Sequence, residues 1–78
     1  GMTLRFELVQ PGEYDDYYYE IFNDDDYACG VIDYNVNEWV LYRLHYYYVF
    51  NCHDLIQISN KLNELNAATK ADKLFGVL

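Results

Sequence analysis

The chain has 78 residues, a formal net charge of −8 and two cysteines. This length allows one domain with a small core, and residues 1–78 are taken as a single unit. The ten acids and one base of residues 1–38 give that half a net charge of −9, whereas residues 39–78 carry +1. Direct binding to nucleic acid or to an anionic membrane is therefore disfavoured, because both need clustered Lys and Arg.

The N-terminus, the absence of targeting patterns and the two cysteines indicate where the protein is expected to reside. Gly1 before Met2 is interpreted as the remnant of a purification tag. No signal-peptide or lipidation pattern is visible, and no apolar stretch reaches the roughly 20 residues that span a bilayer. We therefore expect a cytoplasmic protein in which Cys29 and Cys52 are reduced and buried.

Three short strands are predicted in the first half. Residues 3–10 alternate between apolar and polar side chains, which is typical of a half-buried strand. Residues 17–22 and 27–34 form the next two strands, and the acidic turn at residues 23–26 predicts a hairpin between them. Gly30, inside the third strand, indicates a bulge or a close packing contact.

Residues 39–50 are predicted as a long central strand. Eight of these twelve residues are aromatic or β-branched, and such side chains pack well on a sheet. The face that runs in steps of two from Val40 to Phe50 is wholly apolar or amphipathic, so we expect it to be buried. A buried helix is the alternative for the same run.

An amphipathic helix is predicted over residues 54–66. Its apolar stripe recurs with the period of a helix and consists of Leu55, Ile58, Leu62 and Leu65. Asn51, with Asp54 three residues on, resembles a capping box, and Asn66 is placed at a left-handed helix end. For the tail, residues 67–78, a second short helix and an edge strand both remain open, and its apolar residues are expected to dock.

Together these elements predict an α+β fold. It consists of an antiparallel meander of about four strands, with one C-terminal amphipathic helix packed on one face. The same order of elements occurs in many unrelated small domains, so it does not indicate a function by itself.

No catalytic residue, metal ligand or cofactor is assigned. Cys29, His45, Cys52 and His53 form a Cys2His2 set suited to zinc, but their spacing matches no zinc motif. Cys52 as a nucleophile lacks an identifiable oxyanion hole and orienting residue. The acids of residues 24–26 lack the alternating layout of a calcium-binding EF-hand loop.

Tyrosine is the unusual feature of the composition, with ten residues that include two triplets. Alternation along strands sends rings to both faces of a sheet, and one helix covers only one face, so we expect a largely aromatic open face. The candidate interaction surface consists of Tyr17, Tyr18, Tyr19, Tyr27, Tyr34, Tyr46, Tyr47 and Tyr48. The alternative is that these tyrosines fill the core.

The leading functional hypothesis is a small acidic protein-interaction domain. It would present the tyrosine-rich face to a second copy, as a homodimer, or to another protein, including a basic one. The alternative is a nucleic-acid-mimicking decoy that inhibits a basic DNA- or RNA-binding protein. Its acidic patch would consist of Asp15, Asp16, Asp24, Asp25 and Asp26. An enzyme is the third and least favoured class.

Overall fold

Four antiparallel strands and one long helix make up the structure, a computed structural model that describes residues 2–74. The strands are β1 (Arg5–Val9), β2 (Tyr18–Phe22), β3 (Ala28–Asn35) and β4 (Glu38–Leu44), and the helix is α1 (Cys52–Leu74). Each strand pairs with the next along the chain, so the order across the sheet is β1-β2-β3-β4. The helix packs against one face of this sheet, which confirms the predicted α+β meander.

The core lies between α1 and the covered face of the sheet. Its buried hydrophobic members are Leu4, Ile21, Cys29, Ile32 and Ile58. From the predicted helix stripe, Leu62 and Leu65 pack against this core as expected, but Leu55 is 46% exposed. Asp54 is buried instead at the first turn, so the stripe that faces the sheet begins one residue earlier than its apolar pattern indicates.

β3 contains a bulge next to Gly30. Cys29 is the extra residue on β3 opposite β2, and Gly30 follows it. A Cβ on Gly30 would lie only 2.9 Å from the Arg43 carbonyl oxygen, so a side chain at this position would clash with the backbone of β4. The bulge and close contact predicted at Gly30 are thus confirmed.

β4 is shorter than the strand predicted over residues 39–50, and it lies at an edge of the sheet rather than in its centre. After Leu44, the His45 N–H donates to the Cys29 carbonyl at 2.9 Å. Because β3 begins at Ala28, residues 46–50 extend past the end of their neighbour and have no strand to pair with. These residues leave the sheet in a turn in which the Tyr48 N–H donates to the His45 carbonyl, and the side chains of Tyr48 and Phe50 pack against the core.

The buried face of β4 also differs from the prediction. Tyr42 is the extra residue of a second bulge, opposite β3. The bulge changes the alternation, so that Trp39, Leu41 and Leu44 all pack against the core. Tyr42 itself is 66% exposed.

The start of α1 has the predicted capping box. The Asp54 N–H donates to Asn51 Oδ1 at 2.9 Å, and the Asn51 N–H donates to Asp54 Oδ2 at 3.0 Å. The helix does not end at Asn66 but continues to Leu74. Of the tail predicted over residues 67–78, residues 67–74 continue α1 and form neither a second helix nor an edge strand, and residues 75–78 lie outside the described residues. No helix in the described part of the chain is long and apolar enough to cross a membrane.

Two tight turns connect the strands of the second half of the sheet. In the predicted β2–β3 hairpin, Asn23 Oδ1 accepts hydrogen bonds from the N–H groups of Asp25 and Tyr27, both at 3.0 Å. The β3–β4 turn has Val36 and Asn37 at its centre, with φ angles of 47° and 70°. Valine is an uncommon residue in this left-handed conformation, because its branched side chain crowds the backbone there.

Side-chain amides from α1 hold both edges of the sheet. Gln57 Oε1 accepts from the Leu4 N–H at 2.9 Å, and its Nε2 donates to the Met2 carbonyl at 2.8 Å. In the same way, Asn66 Oδ1 accepts from the Trp39 N–H at 2.6 Å, and its Nδ2 donates to the Trp39 carbonyl at 3.1 Å. Each amide satisfies backbone groups that an edge strand would otherwise offer to another chain.

Candidate functional site

The sheet face that α1 leaves open carries a groove with a volume of about 420 Å³. Side chains and backbone of β2, β3 and β4, with the residue after β4, line it: Tyr18, Glu20, Ala28, Gly30, Val31, Asp33, Tyr42, Arg43 and His45. The open face is therefore chemically mixed rather than largely aromatic. Two tyrosines stand beside two carboxylates, a guanidinium and an imidazole.

The strand register fixes a row of three residues across this groove. Glu20 of β2 pairs with Val31 of β3, and Val31 pairs with Arg43 of β4. Neighbouring strands lie about 4.8 Å apart, so Glu20 and Arg43 stand on either side of Val31 with their Cα atoms roughly 10 Å apart. Within the described residues, neither charge forms an ion pair. Both charges can therefore contact a molecule that docks on this face.

One hydrogen bond links two of the side chains that line the groove. The Tyr18 hydroxyl donates to Glu20 Oε1 at 3.5 Å, which orients the carboxylate at one side of the row. The residues that could have formed a Cys2His2 zinc site do not meet: in residues 2–74 no three His, Cys, Asp or Glu side chains lie close enough to hold a metal ion. The arrangement offers charge, hydrogen bonds and aromatic surface to a partner.

The two cysteines have different surroundings. Cys29 is buried as predicted, and this burial raises the pKa of its thiol, as does the nearby charge of Asp54. Cys52, the first residue of α1, is exposed, so the prediction that both cysteines are buried is wrong for this residue. The reason is helical geometry: the face that contains Asp54 and Ile58 turns toward the sheet, and Cys52 lies on the other side.

A smaller cleft, about 230 Å³ in volume, lies at one end of the sheet. It is lined by Asp16, Tyr17, Tyr34 and Trp39. Tyr34 pairs with Trp39 across β3 and β4, and the register that pairs Tyr18 with Asp33 sets Tyr17 beside Tyr34. The ring centroids of Tyr34 and Trp39 are 5.3 Å apart, and their planes meet at 78°. Three aromatic side chains therefore form a row across the end of the sheet.

Trp39, the only tryptophan of the chain, is held in place by α1. Its backbone N–H and carbonyl both bind Asn66, and its indole Nε1 donates to Thr69 Oγ1 at 3.2 Å. The Tyr19 ring packs edge-on against it, with centroids 5.2 Å apart. The indole can rotate only if it breaks the bond to Thr69 and the contact with Tyr19, which favours one orientation of this wall of the cleft.

The candidate tyrosines on the sheet are divided between its two faces. Tyr18 lines the groove on the open face. Tyr17 and Tyr34 line the cleft at the end of the sheet. Tyr19 packs against the core, as does Tyr48 from the loop after β4, so these two side chains act as core bulk.

The remaining candidate tyrosines lie on loops. Tyr46 and Tyr47 follow β4, are 85% and 74% exposed, and have ring centroids 4.2 Å apart. Tyr27 is 61% exposed at the β2–β3 hairpin. The eight side chains therefore do not form one surface.

The five candidate acids are Asp15, Asp16, Asp24, Asp25 and Asp26. The first two precede β2 and the other three follow it, so a five-residue strand, about 17 Å long, separates the two groups. Asp24 Oδ1 accepts from the Thr3 N–H at 2.9 Å, and Asp26 accepts from the Arg5 guanidinium. Two of the five acids thus hold the start of β1, and the set does not form one continuous patch.

The candidate site predicted from the sequence does not include Trp39, Tyr42 or Arg43. Trp39, the single tryptophan, lies at the start of a predicted strand, and this position could have indicated a role in a binding cleft. The position of Arg43 on the open face beside Tyr42 depends on the bulge in β4, which no local sequence pattern indicates.

No protein-family model, curated protein or solved structure matches this chain. Function is therefore inferred from the groove and the cleft themselves.

Proposed function

We propose that this chain is a protein-interaction domain that forms a two-fold symmetric homodimer through the open face of its sheet. The observation that supports the proposal is the row of Glu20, Val31 and Arg43 on that face. An acid and a base that flank a central apolar residue at equal spacing make the row complementary to itself. A two-fold interface requires this kind of self-complementary surface.

The symmetry operation follows from the register. A two-fold axis that runs along β3 in the plane of the interface brings the two copies of Val31 together. The same rotation sets β2 of one copy opposite β4 of the other, so that each Glu20 faces Arg43 of the partner subunit. Two reciprocal charge pairs then flank an apolar centre, in sheets packed face to face.

Apolar side chains around the row provide the area to be buried. Tyr18, Tyr42 and Val40 lie on the same face, and Tyr42 is 66% exposed in the single chain. A face four strands wide and about five residues long measures roughly 19 Å by 17 Å. This area, roughly 320 Å² per chain, is below the roughly 800 Å² per partner of a standard interface, so we expect a weak dimer with a dissociation constant in the micromolar range.

The acidic decoy receives less support. A nucleic-acid mimic needs a continuous array of free carboxylates, whereas Asp24 and Asp26 are engaged with Thr3 and Arg5. The two acidic groups also lie beyond opposite ends of β2.

The test is the mass of the protein in solution, measured by sedimentation equilibrium from about 1 to 100 µM, which brackets the affinity expected of a small interface. We expect the mass to rise from the 9.3 kDa of one chain toward twice that value. A monomer throughout this range would contradict the homodimer.

Charge reversal then tests the pairing itself. Glu20→Arg places arginine opposite arginine, and Arg43→Glu places acid opposite acid, so each variant alone should be monomeric because like charges face each other. An equimolar mixture of the two variants should form a heterodimer, because both arginines of one variant then face the two glutamates of the other. Glu13→Arg, on the exposed loop before β2, is the control and should dimerise normally. Failure of the mixture to associate would contradict the proposed axis.

A further inference from the structure

The cleft at the end of the sheet has three aromatic walls and one carboxylate, from Asp16. The faces of aromatic rings attract cations, with tryptophan the most effective, and a carboxylate at the rim adds to this attraction. The chain uses the same interaction elsewhere: the Lys61 ammonium lies 5.4 Å from the Tyr19 ring centroid, and the Arg5 guanidinium lies over Phe22. Among the described residues, no cationic side chain lies over Tyr17, Tyr34 or Trp39.

Two walls of the cleft, Trp39 and Tyr34, pack against each other in the free protein. Asn66 binds the Trp39 backbone, Thr69 accepts from the indole Nε1, and the Tyr34 ring packs against the indole at 78°. Tyr17 and Tyr34 are still 50% and 37% exposed, so their rings remain accessible to a ligand. A preorganised site loses little side-chain freedom when a ligand binds, which favours affinity.

The size and chemistry of the cleft select among cations. Its volume of about 230 Å³ is below the roughly 300 Å³ at which pockets for drug-sized molecules begin, so it suits a small head group. A primary ammonium is strongly hydrated and donates three hydrogen bonds, and the single carboxylate here replaces few of them. A methylated ammonium has fewer donors and is more suited to aromatic walls.

We infer that this cleft binds a methylated ammonium group, presented as a trimethylated lysine side chain by a basic partner protein. The lysine source is favoured by charge, because residues 1–38, which contribute Asp16, Tyr17 and Tyr34, carry a net charge of −9. Such a field attracts a segment with further Lys and Arg around the modified residue. The cleft lies at a different place from the groove on the open face, so the inference does not depend on the homodimer.

Trp39 is the only tryptophan, so its fluorescence reports directly on the cleft. The wild-type protein is titrated with a short basic peptide that contains one trimethyllysine. Parallel titrations use the unmodified peptide, the same peptide with a neutral tert-butyl isostere of the trimethylammonium group, and choline. We expect a saturable change in emission with the trimethyllysine peptide and weaker binding of the other three. Equal binding of the neutral isostere, or choline binding as tightly as the peptide, would overturn the inference.

Matched tyrosine variants locate the ligand. Tyr17→Leu keeps apolar bulk but removes one ring of the cleft, and it should weaken binding of the trimethyllysine peptide about 2- to 30-fold, the range for one cation–π contact. Tyr14→Leu is the control, because Tyr14 is 93% exposed and lies outside the cleft. Circular dichroism and the melting temperature establish that both variants are folded. If both variants bind like the wild type, or if both weaken binding equally, the cleft is not the site.

Discussion

The contact between Asn66 and Trp39 gives a stability prediction with an internal control. Asn66→Ala removes the two hydrogen bonds to the Trp39 N–H and carbonyl. Each typical hydrogen bond contributes a net 0.5–1.5 kcal/mol, so we expect a loss of about 1–3 kcal/mol in the free energy of unfolding. Alanine is the better helix former by about 0.5 kcal/mol, which offsets part of this loss.

Asn63→Ala separates these two effects. Asn63 lies on the same helix, is exposed, and gains the same helix propensity on substitution, but it has no side-chain bond to the sheet to lose. Urea denaturation of both variants should therefore show a difference of about 1–3 kcal/mol, with Asn63→Ala neutral or slightly more stable than the wild type. If the two variants agree within about 0.5 kcal/mol, Asn66 does not stabilise the edge of the sheet as described.

Three further predictions concern the core, a turn and the helix cap. Ile58→Ala should lower the free energy of unfolding by about 2–5 kcal/mol in urea denaturation, because Ile58 is only 3% exposed. The control Ser59→Ala, at the exposed neighbouring position, should change this free energy by no more than about 0.5 kcal/mol. Val36→Asn should raise stability by about 1 kcal/mol in thermal melts, because it relieves a left-handed valine that is 84% exposed; an unchanged melt would argue against strain at this turn. Hydrogen bonds from the Asn51 and Met2 N–H groups lower the pKa of Asp54, so its stabilising effect is complete above the ordinary value of 3.8 and is lost as the pH falls through the lowered value. The difference in melting temperature between the wild type and Asp54→Asn should therefore shrink toward acid pH, and a constant difference would contradict the assignment.

The parts of the fold that depend on local signals were predictable from the sequence. The hairpin turn at residues 23–26, the glycine at the bulge and the capping pair of Asn51 and Asp54 all depend on residues within a few positions of each other. The apolar period of the helix likewise identified Ile58 as a core residue. These features follow from backbone geometry and short-range hydrogen bonding, which a sequence pattern records directly.

The predictions that were wrong concern features that depend on contacts between distant segments. The end of β4 is set by where β3 begins, and the bulge at Tyr42 brings Leu41 and Leu44 to the same side of β4. Asn66 fits a helix end by composition, but its side chain binds a strand 27 residues away and the helix continues. The groove and the cleft could not be predicted from the sequence for the same reason, because the register across three strands brings their residues together.

The amides of Gln57 and Asn66 also affect how the molecule opens. The bonds from Gln57 to residues 2 and 4 join positions 55 and 53 apart in the chain, so the segment that precedes β1 is held only after the helix has formed and docked. Contacts of this range close slowly in folding compared with the hairpins β2–β3 and β3–β4. Undocking of α1 would break the amide contacts at residues 2 and 4 and at Trp39 at once, while the strand ladders remain. In native-state hydrogen exchange, the amide protons of Leu4 and Trp39, at opposite edges of the sheet, should therefore exchange through one common opening with the same free energy.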